Sequence, residues 1–157
     1  MKRITCLIFV MAVLIASLAW AQETNQVIRA SAFMLVDNLG KSQGGFFIHE
    51  NGPVLTLFGE EGNLRILLDI KENVPMISLF DENGKRRIFL SVNDLGPGIA
   101  FCDENEEPSI MLTALEGNSG LIISDKKGEF RIMLLLTGKG PTLTLFDEKG
   151  NNIWGAP

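Results

Sequence analysis

Residues 75–96 read PMISLFDENGKRRIFLSVNDLG, and this stretch contains the signals that decide the fold of the chain. Two segments, 76–80 and 87–92, have the period-two pattern of β-strands, whose successive side chains point to opposite faces. The four residues between them, 81–84, have the composition of a tight turn. The stretch therefore predicts one β-hairpin, followed at 93–96 by a second loop.

The same 22-residue unit occurs six times without a gap. The copies open with proline or serine, at Ser31, Pro53, Pro75, Pro97, Ser119 and Pro141. The third and fifth positions are apolar in every copy, and Asp stands at the seventh position in five of the six copies. A period kept this strictly indicates a repeat architecture. Two strands per copy, with no helical periodicity in the repeats, predict an all-β fold of twelve short strands.

Two arrangements of the repeats are open: an antiparallel meander of hairpins, or a β-solenoid of stacked coils. In a solenoid, Glu60, Glu82 and Glu104 would form a column spaced about 4.8 Å apart. Like charges at that distance repel by roughly 1 kcal/mol even in water. A meander places the same carboxylates two strands apart, where salt screens them. We therefore expect the meander, with the solenoid as the alternative.

Ile and Leu side chains of the repeats, such as Ile77, Leu79, Ile88 and Leu90, fall on one face of the expected sheet. A face this wide should not stay open to water, so we expect the sheet to form a flattened barrel or a two-layer sandwich around it. With residues 81–84 as the loop, Phe80 would pair with Lys85 and Ile77 with Ile88. This register makes the Ile/Leu face the core.

Residues 1–21 have the pattern of a cleavable signal peptide. Lys2 and Arg3 precede an apolar run at 4–18, and the small residues Ala19 and Ala21 follow at positions −3 and −1 of the expected cleavage site. The apolar run is shorter than the about 20 residues that a membrane-spanning helix needs. We expect export to the periplasm or the exterior of a bacterium, with no membrane span after cleavage.

The mature chain should consist of a lead-in segment, 22–30, and a six-copy hairpin repeat domain, 31–157. Removing Lys2 and Arg3 leaves 12 basic against 19 acidic side chains, a net charge of −7. This charge excludes nucleic acid as an expected partner, because nucleic-acid binders carry a basic surface. Cys102 is the only mature cysteine, so no internal disulfide is expected.

No pattern in the sequence predicts a catalytic, cofactor or metal site. His49 is the single histidine and Cys102 the single mature cysteine, which leaves no zinc set and no hydrolytic triad. Turn carboxylates such as Asp81 are explained by turn chemistry, with calcium binding as the alternative. We therefore expect a protein that is not an enzyme and that holds no cofactor.

Aromatic and arginine side chains recur on the face opposite the Ile/Leu face. We call them the Phe/Arg strip, which consists of Phe58, Phe80, Phe146, Phe89, Arg65, Arg87 and Arg131. In a structural interpretation, the arginine stems cover the rings and pair with turn acids. In a functional interpretation, the strip binds a polymer, a glycan or a protein partner, or associates with another copy.

The segments ISLFDENGKRRIFLSV at 77–92 and LTLFDEKG at 143–150 resemble uncharacterised exported bacterial proteins with tandem LxDxxGKxRxxL units after a signal peptide. The resemblance covers residues 31–157 and implies no activity. Our leading hypothesis is a non-enzymatic exported structural or interaction protein built from β-hairpin repeats. The alternative is a carbohydrate- or polymer-binding module that uses the Phe/Arg strip.

Overall fold

The computed structural model describes residues 28–115 and 117–157, and within them every regular element is a β-strand. The predicted signal peptide, 1–21, and the first six residues of the lead-in lie outside the described residues. Residues 31–157 form one structural unit. The strands are β1 (Ala32–Val36), β2 (Ser42–His49), β3 (Gly52–Phe58), β4 (Leu64–Lys71), β5 (Val74–Phe80), β6 (Arg86–Asn93), β7 (Gly96–Cys102), β8 (Pro108–Leu115), β9 (Asn118–Ser124), β10 (Phe130–Thr137), β11 (Gly140–Phe146) and β12 (Asn152–Ala156).

All twelve strands form one sheet in which the spatial order is the order along the chain. Each inner strand pairs antiparallel with the strand before it and the strand after it, and β1 and β12 pair with one neighbour each. The predicted all-β fold and the antiparallel meander of hairpins are therefore confirmed. The solenoid alternative is wrong, because its stacked coils would pair in parallel.

Two kinds of tight loop alternate along the chain and define the two ends of the strands. At one end, Asp81 N–H donates to the Lys85 carbonyl at 2.9 Å, which leaves a three-residue loop that ends at Gly84 with φ 76°. At the other end, a two-residue loop joins β4 to β5, and both of its residues, Glu72 and Asn73, have positive φ. Left-handed residues at these places match hairpin turns to the twist of the strands.

The register within a repeat differs from the predicted one by two residues. Ile77 pairs with Leu90, two positions beyond the predicted Ile88. One residue of the difference arises because Asp81 pairs with Lys85 and shortens the loop. The other is a β-bulge at the turn end of β6. Because a shift of two preserves the alternation, the predicted division of side chains between the two faces still holds.

The expected closure into a flattened barrel or a sandwich is not observed. Within the described chain, β1 and β12 each have one neighbour, so the sheet is open at both edges. Each consecutive pair of strands is hydrogen-bonded, which leaves no break at which the chain passes to a second layer. The prediction that the Ile/Leu face forms the core is wrong for the single chain, since Ile77 and Leu90 remain 40% and 42% exposed.

The most deeply buried side chains lie on the opposite face, which we call the mixed face. Its central row crosses the sheet with a spacing of 11 residues: Met34, Gly45, Thr56, Leu67, Ser78, Phe89, Ala100, Met111, Ile122, Met133, Thr144 and Gly155. Large side chains on even-numbered strands alternate with small ones on odd-numbered strands over much of this row. Ser78, Ala100 and Thr56 are only 2%, 3% and 6% exposed. Interdigitation of large and small side chains therefore packs this face within a single layer.

Candidate interaction surfaces

The face opposite the mixed face, which we call the aliphatic face, includes two rows of side chains that cross all twelve strands. The first row is Phe33, Phe46, Leu55, Leu68, Ile77, Leu90, Ile99, Leu112, Leu121, Leu134, Leu143 and Ala156. The second row is Leu35, Gly44, Leu57, Ile66, Leu79, Ile88, Phe101, Ile110, Ile123, Ile132, Leu145 and Trp154.

Neither row contains a charged or polar side chain, and every side chain in both rows is half-buried or exposed. A surface of this kind differs from the scattered apolar side chains of an ordinary protein surface, because it is continuous from β1 to β12. Contiguous apolar patches of more than a few hundred Å² typically mark interaction sites. The aliphatic face is therefore the largest candidate surface of the described chain.

The arginines of the mixed face connect one hairpin to the next. Arg131 Nε donates to Asp125 Oδ2 at 2.9 Å within its own repeat, while its Nη1 donates to the Asp147 carbonyl of the following repeat. Arg87 makes the equivalent pair of bonds to the Asp81 carboxylate, at 2.7 Å, and to the Asp103 carbonyl. These two arginines thus act as bridges between consecutive copies.

Arg65 lacks the carboxylate half of this bridge. Its repeat has Gly59 at the seventh position, and its Nε donates to the Phe80 carbonyl at 3.0 Å. The pairing with turn acids that the structural interpretation expects is thus observed for Arg87 and Arg131 but not for Arg65, although each of the three makes at least one hydrogen bond to a neighbouring hairpin. Guanidinium groups held in this way have fewer free donors for a ligand.

The turn aspartates use their carboxylates to hold their own loops. In the third copy, Asp81 Oδ1 accepts the N–H groups of Asn83 and Lys85, at 2.9 and 3.0 Å. In the fifth copy, the Arg131 guanidinium and the N–H of Lys127 hold the pKa of Asp125 below its ordinary value. Bonds that favour the charged carboxylate lower its pKa. The turn chemistry expected from the sequence thus accounts for most of the acceptor capacity of these groups.

The aromatic members of the Phe/Arg strip do not form one continuous row. Phe58, Phe80 and Phe146 lie at the turn ends of β3, β5 and β11, whereas Phe89 lies in the central row of the mixed face. Five strands lie between Phe80 on β5 and Phe146 on β11, and Cys102 and Ser124 occupy the equivalent positions between them. All four rings are half-buried. The structure therefore brings the predicted strip together only in separate groups.

One arginine on this face was missed by sequence reasoning. The guanidinium carbon of Arg86 lies 4.5 Å from the centroid of the Phe89 ring, within the range of a cation–π contact. Strict alternation would put these two side chains on opposite faces. The bulge at the start of β6 turns Arg86 to the mixed face, and only knowledge of that bulge would have predicted the contact.

A shallow depression of about 620 Å³ lies on the mixed face near β1. Its lining includes the apolar side chains of Met34, Phe47 and Phe58. Two hydroxyl groups in the same lining, Thr56 Oγ1 and Ser42 Oγ, are buried and make no hydrogen bond. The depression thus presents aromatic surface, and the two hydroxyl oxygens lie below it, out of reach of solvent.

The single histidine and the single mature cysteine lie on strands that are not neighbours in the sheet. His49 is exposed at the end of β2, and Cys102 is a half-buried free thiol whose pKa is raised by desolvation. Across residues 28–115 and 117–157, no three His, Cys, Asp or Glu side chains are grouped so as to hold a metal ion.

Comparisons with known protein families and with curated proteins find no match for this chain. In the part of the chain that the structure describes, no helix has the length and apolar character needed to cross a membrane.

Proposed function

We propose that this chain is a non-enzymatic exported structural or interaction protein that works by association through its aliphatic face. The observation that carries the proposal is the continuous apolar surface over twelve strands, with no charged side chain in either of its rows. An unpaired surface of this size is costly in water, at roughly 25 cal/mol for each Å² of apolar area. A binding partner removes that cost.

The repeat architecture supports the same function. A site for one small molecule requires polar groups that converge on a pocket, whereas a repeated sheet presents the same surface every two strands. Such a surface suits an extended contact. The resemblance to exported bacterial repeat proteins and the predicted signal peptide at 1–21 favour a periplasmic or secreted location, where a disulfide-free, acidic mature chain acts as part of an assembly.

Photo-crosslinking in cells tests this function directly. A photoreactive amino acid is placed at position 90, on the aliphatic face, or at position 91, on the mixed face of the same strand. We expect a covalent protein adduct from position 90 and none from position 91. An aliphatic-face probe that yields no adduct would contradict the proposal, whatever the identity of the partner.

A second candidate function, binding of a glycan or another polymer, is favoured by the depression near β1. Its lining is mostly apolar, with Met34 and Phe47, and Phe58 supplies a ring against which a sugar face packs. We test it with a peptidoglycan and glycan panel. Binding that is lost on Phe58→Ala but kept on Phe146→Ala would support this function, and absence of binding to every polymer would exclude it.

A further inference from the structure

We propose that the occupant of the aliphatic face is a second copy of this chain, packed face to face as a two-fold symmetric dimer. The inference rests on the proposed function and adds the identity of the partner. In this dimer, each copy supplies the second layer that the other lacks. The two-layer architecture that the sequence predicts within one chain would thus be completed between two chains.

The size of the aliphatic face matches what a stable dimer needs. Strands lie about 4.8 Å apart and residues rise about 3.3 Å along a strand, so twelve strands and a width of five residues, as from Ile88 to Val92 on β6, give a footprint of roughly 50 Å by 17 Å, or roughly 850 Å². Standard stable interfaces bury about 800 Å² on each partner. Because the side chains form ridges, the accessible area of the face exceeds this flat footprint.

The spacing of the ridges favours another copy over an unrelated protein. Each strand contributes one side chain to a row, so the side chains of a row follow one another at about 4.8 Å, and the 22-residue unit recurs every two strands, or about 10 Å, across the whole face. Any β-sheet has this strand spacing, but only a sheet of about twelve strands can match the ridges over the whole face, and a second copy has that extent and repeat by identity. Two copies also share the same twist, which lets their sheets pack aligned as in β-sandwiches.

The distribution of charge agrees with an isologous contact. The charged side chains of each repeat are concentrated in its turn and on the mixed face, as for Asp81, Lys85 and Arg87. Two acidic chains would repel each other across a charged interface. Contact through the aliphatic faces instead separates the charges of one copy from those of the other by a full layer of apolar side chains. Such an interface resembles the apolar core of obligate dimers.

The centre of the face gives the sharpest place to test the dimer. Leu90 on β6 pairs with Ile99 on β7, and these are the two middle strands of the sheet. A two-fold axis that keeps the two faces in full overlap passes near this pair. A lysine at Leu90 is open to water in the single chain but would be buried without a partner in the dimer, which is strongly unfavourable.

The experiment measures molar mass by light scattering during size exclusion, at micromolar concentration. The full chain is expressed in a bacterial host, and mass spectrometry locates the N-terminus of the purified protein. We expect twice the mass of one chain for the wild type and for Ser91→Lys, and the mass of one chain for Leu90→Lys. Circular dichroism establishes that each variant keeps its β-sheet.

Disulfide trapping gives a second readout that does not depend on weakening the interface. In a Cys102→Ser background, Leu90→Cys should form a covalent dimer under mild oxidation, whereas Ser91→Cys should not. A cross-link from both positions, or from neither, would overturn the face-to-face arrangement.

Three results separate failure of this inference from failure of the proposed function. A wild-type monomer whose position-90 probe still forms an adduct would overturn the dimer and retain an interaction with another protein. Polymers that grow with concentration and persist in Leu90→Lys would indicate head-to-tail pairing of β12 with β1, again overturning the dimer. A wild-type monomer with no adduct would overturn both.

Discussion

The two faces of the sheet are made by the same strands, yet they are completed in different ways. On the mixed face, large and small side chains interdigitate, so that Ser78 and Ala100 are almost fully buried in a single layer. On the aliphatic face, nearly every position is large, so neighbouring side chains stand beside each other and stay open to water. Burial within one layer therefore follows the alternation of side-chain size, and hydrophobicity alone does not predict it.

The largest expected effect compares the same substitution on the two faces. Ala100 lies between Phe89 and Met111 on the mixed face, whereas Ala114 is exposed on the aliphatic face near the end of β8. Ala100→Leu should lower the free energy of unfolding by about 2 kcal/mol through overpacking. Ala114→Leu should change it by less than about 0.5 kcal/mol.

Urea unfolding at one fixed protein concentration checks both variants, since association would otherwise shift the transition. Equal destabilisation by the two substitutions would show that the mixed face is not the packed one.

A smaller effect on stability is expected when two turns at the same end of the strands are compared. Gly84 has φ 76° and no atom near the position of a side chain, whereas Glu106 takes the same place in the fourth copy with φ 69°. Gly84→Ala should cost about 1 kcal/mol, because the left-handed conformation penalises a Cβ atom.

The reciprocal change, Glu106→Gly, removes that strain but also removes the bond from Arg86 N–H to Glu106 Oε1, 2.8 Å long. We expect a net change of no more than about 0.5 kcal/mol in thermal or urea unfolding. A large loss of stability would mean that the glutamate bond matters more than the backbone conformation.

The arginine bridges should differ in strength according to their partners. Arg131 is 18% exposed and bonds both the Asp125 carboxylate and the next hairpin, whereas Arg65 is exposed and bonds one carbonyl. Arg131→Ala should lower the free energy of unfolding by about 1 kcal/mol, and Arg65→Ala by less than about 0.5 kcal/mol. A larger cost at Arg65 would indicate a role that its single hydrogen bond does not explain.

The turn aspartates should make the free energy of unfolding depend on pH. Hydrogen bonds in the folded chain lower the pKa of Asp37, Asp81, Asp103, Asp125 and Asp147. Their contribution is therefore fully present above the unfolded-state pKa of about 3.9 and is lost as pH falls through the lower folded-state values. The midpoint of urea unfolding should drop between pH 5 and pH 2, and less steeply in Asp125→Asn. A flat profile would contradict this linkage.

The sequence predicts much of this architecture because its signals are local. The 22-residue period, the two strands per copy and the Asp turn at residues 81–84 all follow from residue types at fixed spacing. Register does not follow in the same way, because the pairing of Asp81 with Lys85 and the bulge near Arg86 depend on backbone geometry. Each shifts the pairing by one residue.

Hydrophobicity alone also does not predict which face of the sheet is buried. Ile77 and Leu79 are more apolar than Ser78, so the sequence assigns the core to their face. The structure buries Ser78 because Leu67 and Phe89 flank it on the neighbouring strands. These three positions are 11 residues apart in the sequence, but this spacing predicts that they are neighbours only when the strand pairing is already known.

The rate of thiol labelling tests the central claim most directly, namely that one face is packed within the chain and the other is covered by association. In a Cys102→Ser background, Leu90→Cys and Ser78→Cys are treated with a small thiol reagent over a range of protein concentrations. Leu90→Cys should label fast in dilute solution and slowly at tens of micromolar, while Ser78→Cys labels slowly throughout. A Leu90→Cys rate that is the same at every concentration would contradict the account.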